Sequence, residues 1–277
     1  MGFVMVTSKR ERIPAEDVDI LTISLTDNLL VRINQRTVFD GPPVVSDGPN
    51  GEVLAGTSAQ EPVRRVLTQG VIGNIRVLEQ LLQFIAKPLL DERAKMTVAL
   101  VVVNEKIYKL DRTVLKELVR KVWGADVRVV TAPESKLVAH GAGTPLWGSM
   151  GVGVSLLTPN HTSAAVLSSG EVIAHDFAYL DEGADSTLRL SILNEVLNKV
   201  VRAAGPAFEP TLKSNGVTVA SDDKEVTIPD KLYPYGEDIP IRAVTARSAK
   251  EALFVGILAY ETHKMDLFEK GYIRSSK

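Results

Sequence analysis

The chain has 277 residues, 45% of them apolar, so it is long enough to bury a large core in one domain or in two lobes. Its 32 basic and 34 acidic residues nearly balance, which argues against a nucleic-acid-binding surface. Cysteine is absent, which excludes disulfides, thiolate zinc sites and a cysteine nucleophile, and the four histidines show no metal-ligand spacing.

The beginning of the chain combines an apolar run with basic residues. Phe3, Val4, Met5 and Val6 precede a basic stretch at residues 9–12. Apolar insertion and attraction to anionic lipid reinforce each other, so these residues are candidates for contact with a membrane surface. A frayed or β-paired terminus is the alternative. No apolar run reaches the roughly 18 to 20 residues of a membrane-spanning helix, and no targeting signal is evident, so the cytoplasm is the expected location.

The first half of the chain predicts a meander followed by alternating helices and strands. Three strands are expected at Ile20 to Leu25, Leu29 to Ile33 and Thr37 to Phe39, and one more short strand within the turn-rich residues 41–56. Apolar residues at helical spacing then predict a helix from Asn74 to Lys87, which Pro88 ends. Beyond it come a buried strand at Met96 to Val103, a helix at Thr113 to Val122, a strand at 126–132 and a helix through 134–143. Short links between these elements indicate right-handed crossover units.

The pattern then restarts. Residues 152–177 predict strand, bend, strand, a turn at Ser168 to Glu171, and a third strand, before a helix from Ala184 to Ala203. The repetition predicts an α/β fold of two duplicated lobes, residues 1–143 and 144–277. Each lobe is expected to hold a mixed sheet, a three-stranded meander plus parallel crossover strands, flanked by helices. Beyond Gly205 we expect a hairpin at 216–230, an exposed connection at 233–241 and a last helix from Thr245 to Phe268.

Twin halves of this kind resemble the superfamily of actin, sugar kinases and DnaK chaperones, and several phrases resemble its bacterial MreB branch. The matching segments are GVI at 70–72, ESKLVAHGAG at 134–143, AAVLSSGEVI at 164–173 and DEGADSTLRLSIL at 181–193. Their order and spacing cover most of the chain from Asp19 to about Val200. The resemblance implies the actin-like fold.

Two departures concern the nucleotide site that the resemblance would imply. In the family the first meander bend carries D-x-G-T and the second D-x-G-G-G-T; the glycine amides close on phosphates and the aspartates organise magnesium. Here Ile23 and Leu156 fall at the two acidic positions, and Pro159 removes an amide donor. No metal site, catalytic residue or nucleotide cofactor is therefore expected. The vestigial positions would be Thr26, Thr158, Gly183 and Asp185, and Glu134 alone keeps the family's residue type at the water-positioning place.

Two further departures concern size. The stretch from Gly56 to Val66 is short where MreB has an extra small subdomain, which predicts that this subdomain is reduced. The family continues from a strand like residues 270–276 into a glycine-rich adenosine-binding loop, which predicts a truncated C-terminus here.

Three functions remain open from the sequence. The first is a non-catalytic cytoskeletal or scaffold protein that assembles head to tail with itself, linked to cell shape or intracellular organisation. The second is a monomeric adaptor that docks a partner at the membrane or on a filament of a true MreB. The third is a divergent ATPase using ATP and magnesium, for which Asp27 is the nearest replacement carboxylate. None of the three involves nucleic acid.

Overall fold

The computed structural model describes residues 13–14, 18–26, 28–68, 71–89, 91, 96–107, 109–146, 151–181, 183–234, 240–246, 248–263 and 273–274. The strands are β1 (Ile13–Pro14), β2 (Ile20–Leu25), β3 (Leu29–Ile33), β4 (Arg36–Gly41), β5 (Val44–Asp47), β6 (Val53–Ala55), β7 (Arg64–Arg65), β8 (Leu67–Thr68), β9 (Val71–Ile72), β10 (Val98–Val103), β11 (Arg128–Pro133), β12 (Val152–Leu157), β13 (His161–Ser168), β14 (Glu171–Tyr179), β15 (Val217–Ser221), β16 (Lys231–Leu232), β17 (Ile241–Thr245) and β18 (Ile273–Arg274). The helices are α1 (Ile75–Ala86), α2 (Lys109–Trp123), α3 (Glu134–Gly141), α4 (Ser186–Ala204), α5 (Glu209–Asn215) and α6 (Ala249–His263).

The first lobe is built on a five-stranded sheet in the order β11-β10-β2-β3-β4. Strands β2, β3 and β4 form the antiparallel meander, whereas β10 and β11 join it in parallel. Every residue of β10 is buried, as expected of a strand covered on both faces. Helices α1 and α2 cover one face, and α3 and α6 contribute to the core on the other.

The second lobe repeats this arrangement. Its sheet has the order β14-β13-β12-β15-β17-β16, with an antiparallel meander β12-β13-β14 and parallel strands β15 and β17. Helices α4 and α5 pack on one face, and α3 and α6 again on the other. The two predicted meander-plus-crossover halves are therefore present, while the exact boundary between residues 143 and 144 stays a prediction.

Helices α3 and α6 lie between the two sheets and approach each other closely. A Cβ atom on Gly141 would lie 1.8 Å from the carbonyl oxygen of Ala252. A Cβ atom on Gly256 would lie 2.0 Å from the carbonyl oxygen of Leu137. These glycines let the two backbones meet without an intervening side chain, so the pair forms a tight joint between the lobes.

Three predictions for the end of the chain need correction. The hairpin expected at 216–230 is wrong, because β15 pairs in parallel with β12 and β17 and residues 222–230 add no strand. The last helix spans Ala249–His263, since Thr245 belongs to β17; residues 264–268 lie outside the described ranges. The expected exposed connection contains the buried Ile241, where β17 begins.

A small three-stranded sheet follows the first meander. Its order is β6-β5-β7, and it lies within residues 44–65. The expectations of a reduced small subdomain and of a truncated C-terminus stay predictions. In the part of the chain that the structure describes, no helix is both long and apolar enough to cross a bilayer.

Candidate functional site

A cleft of about 630 Å³ opens between the two lobes, and both meander bends reach it. The bend between β2 and β3 contributes Thr26 and Asn28, and the bend between β12 and β13 contributes Thr158, Pro159 and Asn160. The other lining residues come from the two sheets, from positions next to them, and from the N-terminal parts of α3 and α6: Ser24, Leu30, Thr37, Asp40, Glu134, Asp222, Ser248, Ala249, Lys250, Glu251, Leu253 and Phe254. The place where the family resemblance would put a nucleotide is therefore an open cleft in this chain.

The alternation of side chains along β2 corrects the position assigned to the first acidic residue. Ile23 is fully buried in the core that α1 and α2 share with the sheet, so it faces away from the cleft. Ser24 points to the opposite face and lines the cleft beside Leu30, its cross-strand partner in β3. Ser24 is also the fifth of six residues in its strand, as Leu156 is in β12. Ser24, rather than Ile23, is therefore the geometric counterpart of Leu156. Neither Ser24 nor Leu156 carries a carboxylate.

The second bend satisfies its own backbone amides. The N–H groups of Asn160 and His161 donate to Thr158 Oγ1 at 3.3 and 3.1 Å. The N–H of Thr158 donates to the carbonyl oxygen of His161 at 2.9 Å, and Pro159 has no N–H. In an anion-binding loop such amides converge on the ligand. Here they are already engaged within the bend.

A buried ion pair holds the second bend from behind. The Arg189 side chain in α4 pairs with Asp223, and both side chains are less than a tenth exposed. Its Nη1 also donates to the carbonyl oxygen of Pro159 at 3.3 Å, and its Nε to that of Ala184 at 2.7 Å. One guanidinium therefore ties the bend, the start of α4 and the end of β15 together.

The first bend is described at Thr26 and Asn28, and Asp27 between them lies outside the described ranges. Thr26 N–H donates to the carbonyl oxygen of Asn28 at 3.2 Å. Ser24, near the end of β2, is only 1% exposed, and its Oγ has no hydrogen-bond partner. A buried hydroxyl without a partner is unfavourable, so the strand that leads into this bend holds one unsatisfied polar group.

The remaining predicted site residues divide between the cleft and elsewhere. Glu134 is buried at the first position of α3 and lines the cleft. Asp185 caps α4 by accepting the N–H of Leu188 at 2.8 Å, and Gly183 lies in the preceding turn with a positive φ of 91°. Neither of these two lines the cleft. Residues 3–6, Asp27 and Gly70 lie outside the described ranges.

Sequence reasoning missed three acidic residues of the cleft, two from the second half of the chain and one from the first. Asp222 lies just beyond β15 and accepts the backbone N–H of Lys250 at 2.8 Å. Glu251 in the first turn of α6 and Asp40 in β4 also line the cleft. Helix α6 was expected, but no local signal indicated that its first turn would lie opposite the first bend.

Two contacts bridge the lobes independently of any ligand. Glu261 of α6 accepts from Arg32 Nε at 3.1 Å and from Thr22 Oγ1 at 2.7 Å, and all three side chains are buried. On the other side, Lys106 Nζ lies 4.3 Å from the centre of the Tyr179 ring in β14. These are a buried ion pair and a cation–π contact, and both fix one lobe to the other.

The residues present do not fit a magnesium–nucleotide complex. Ser24 and Leu156 offer no carboxylate, and the amides of the second bend are already bonded. In the described ranges no three histidine, aspartate or glutamate side chains are grouped to hold a metal ion.

Comparisons with known proteins now place the fold. The profile of the MreB/Mbl protein family matches residues 44–179. The crystal structure of MreB5 of Spiroplasma citri bound to ADP superposes with a TM-score of 0.71 at 16% identity, covering 91% of this chain and 98% of that chain. The structure of the same protein bound to AMPPNP gives 0.69 at 16% identity, covering 92% and 99%. No curated protein matches the sequence.

The two lobes and the cleft between them thus define an actin-fold protein, as the sequence predicted. More narrowly, residues 44–179 are similar to the MreB/Mbl proteins, and the chain is similar in fold to MreB5.

Proposed function

We propose that this chain is a non-catalytic, MreB-like cytoskeletal or scaffold protein that acts through its surfaces in the cytoplasm, without binding or hydrolysing ATP. The observation that carries the proposal is the second bend, where Thr158 Oγ1 accepts the two amides that would otherwise face a phosphate. A triphosphate would have to break these bonds and would find no magnesium-organising carboxylate at Ser24 or Leu156.

The interlobe contacts support the same proposal. The orientation of two lobes can be fixed by a ligand between them or by contacts within the chain. Here the Arg32–Glu261 pair and the Lys106–Tyr179 contact bridge them within the chain. Head-to-tail assembly needs complementary surfaces, not hydrolysis, and a heterologous contact that does not close gives a filament. Assembly of this chain is therefore expected to be constitutive or controlled by a partner. Spiroplasma MreB5, by contrast, was crystallised with ADP and with AMPPNP.

The test is sedimentation and negative-stain microscopy of the purified full chain, with and without ATP and magnesium. We expect sedimenting assemblies whose amount and form are the same in both conditions. Protein that stays monomeric at every concentration would contradict self-assembly, and assembly only with ATP and magnesium would contradict nucleotide independence.

A monomeric adaptor is the second candidate, and a surface groove favours it. Between the edge strand β4 and α1 lies a groove of about 1120 Å³ lined in part by Val38, Phe39, Phe84 and Leu89, with Phe84 40% exposed. An exposed apolar groove beside an edge strand is typical of a protein-docking surface.

Co-sedimentation with filaments of a true MreB tests the adaptor. A monomer that co-sediments with these filaments, and whose Phe84→Glu variant no longer does so, would favour the adaptor. Unchanged co-sedimentation of that variant would show that this groove is not the docking surface. Membrane contact through residues 3–6 stays a prediction.

A further inference from the structure

A continuous series of contacts runs from the second bend toward the first lobe through three ring side chains, His161, Phe177 and Tyr179, which we call the ring stack. Thr158 Oγ1 in the bend lies 3.0 Å from Nδ1 of His161, whose side chain is buried. The imidazole stacks on the Phe177 ring of β14, with 4.7 Å between the ring centres and 13° between the planes. Phe177 in turn meets Tyr179 edge to face at 4.8 Å. Stacked and edge-to-face arrangements are favourable, so each ring restricts the next.

The far end of the ring stack contacts a lysine from the other lobe. Lys106 Nζ lies 4.3 Å from the centre of the Tyr179 ring and 5.3 Å from that of Phe177. Both distances are within the range of a cation–π contact. One ammonium group of the first lobe therefore attracts two rings of the second.

The turn that carries Lys106 is fixed to the first lobe. The Lys106 N–H donates to Asn104 Oδ1 at 3.1 Å. The neighbouring Glu105 side chain is buried and accepts the backbone N–H of Ser135, near the start of α3, at 2.8 Å. The turn is thus held between the end of β10 and α3. A movement of one lobe against the other would carry Lys106 away from the rings.

We propose that closure of the second bend is coupled to the orientation of the two lobes through the ring stack. When the lobes lie as in this structure, Lys106 holds the rings, and the rings hold His161 beside Thr158. When the lobes separate, the rings lose the cation and the bend amides open more often. A partner that alters the lobe orientation therefore also alters the bend. The coupling does not depend on whether the cleft takes ATP.

Amide hydrogen exchange of the full chain, with and without substitution of Lys106, tests the coupling. In Lys106→Met we expect the N–H groups of Asn160 and His161 to exchange about two- to fivefold faster, the factor that corresponds to loss of one cation–π contact. Lys106→Arg keeps a cation above the rings and should exchange like the unsubstituted chain. Lys121→Met is the matched control and should leave the bend unchanged, because Lys121 is an exposed lysine of the same lobe that pairs with Glu79 of α1.

A second substitution tests the route. Phe177→Leu removes the ring between His161 and Tyr179 and should speed exchange at the bend by a similar factor. Adding Lys106→Met to Phe177→Leu should then have little further effect, because both changes interrupt one route. Effects of the two substitutions that multiply in the double variant would contradict the ring stack as the route.

The amides of α1 provide the internal reference, since this helix belongs to the core of the first lobe and not to the bend. Faster exchange at the bend and in α1 alike would show a general loss of stability and would overturn the proposal. Exchange at the bend that is unchanged in Lys106→Met would overturn it too.

Discussion

The two meander bends occupy equivalent positions in duplicated sheets, yet they differ in how their polar groups are used. In the second bend, Thr158 accepts the free amides and Arg189 holds the backbone from behind. Just before the first bend, Ser24 in β2 keeps a buried hydroxyl without a partner. The polar groups of the second bend are satisfied by side chains, whereas the strand that leads into the first bend holds an unsatisfied hydroxyl.

This difference shows that equivalent bends of a duplicated fold can engage their polar groups in different ways. In the second bend a threonine hydroxyl accepts two backbone amides, and a guanidinium donates to a backbone carbonyl oxygen. Such local differences leave the sheets and their order intact, because each lobe has its own apolar core. The fold therefore constrains the position of the bends but not their chemistry.

The largest loss of stability is expected from the Arg189→Ala variant. It would leave the Asp223 carboxylate buried without its partner and release the second bend, which we expect to lower the free energy of unfolding by about 3–5 kcal/mol. Chemical denaturation of the variant measures this. Arg64→Ala is the matched control, since the Arg64–Asp47 pair is exposed and should contribute less than about 1 kcal/mol. Equal losses in the two variants would contradict the structural role given to Arg189.

A smaller loss is expected from Gly141→Ala at the joint between the lobes. The added methyl group would overlap the carbonyl oxygen of Ala252, so α3 and α6 must move apart, at a cost of about 2–3 kcal/mol. Thermal unfolding of Gly41→Ala provides the comparison, because a Cβ atom there meets its nearest atom, in the Phe39 ring, at an ordinary 3.5 Å. If Gly141→Ala were no less stable than Gly41→Ala, the close approach of the helices would be wrong.

The smallest loss of stability is expected from a change in the second bend itself. Thr158→Ala frees the N–H groups of Asn160 and His161 and should lower stability by about 1–2 kcal/mol. Thr158→Ser keeps the hydroxyl and should recover most of that loss. Should the serine variant unfold as easily as the alanine variant, the hydroxyl would not be the group that closes the bend.

Much of the fold could be predicted because it depends on local patterns. The valine-rich β10, the stripe of α1 and the repeated meander all follow from spacing along the chain. The hairpin at 216–230 failed because β15 is a central strand, and its partners β12 and β17 are distant in sequence or separated by a long connection. The apolar residues of β15 do not indicate which strands will lie beside it in the sheet.

The site was only partly predictable for similar reasons. The two bends and Glu134 were found from the resemblance, but Ile23 was chosen where strand alternation selects Ser24. Alternation shows only that Ile23 and Ser24 face opposite ways; because both faces of β2 are buried, the packing of Ile23 against α1 and α2 was needed to show which face meets the cleft. The Arg189–Asp223 pair joins residues 34 positions apart, and neither residue has a sequence signal for the other.

The central claim, that the cleft no longer takes a nucleotide, is tested most directly by calorimetric titration of the full chain with ATP, with and without magnesium. The closed second bend and the missing carboxylates predict no micromolar binding in either condition. Magnesium-dependent binding of ATP at micromolar concentration would contradict this claim and would favour the alternative of a divergent ATPase.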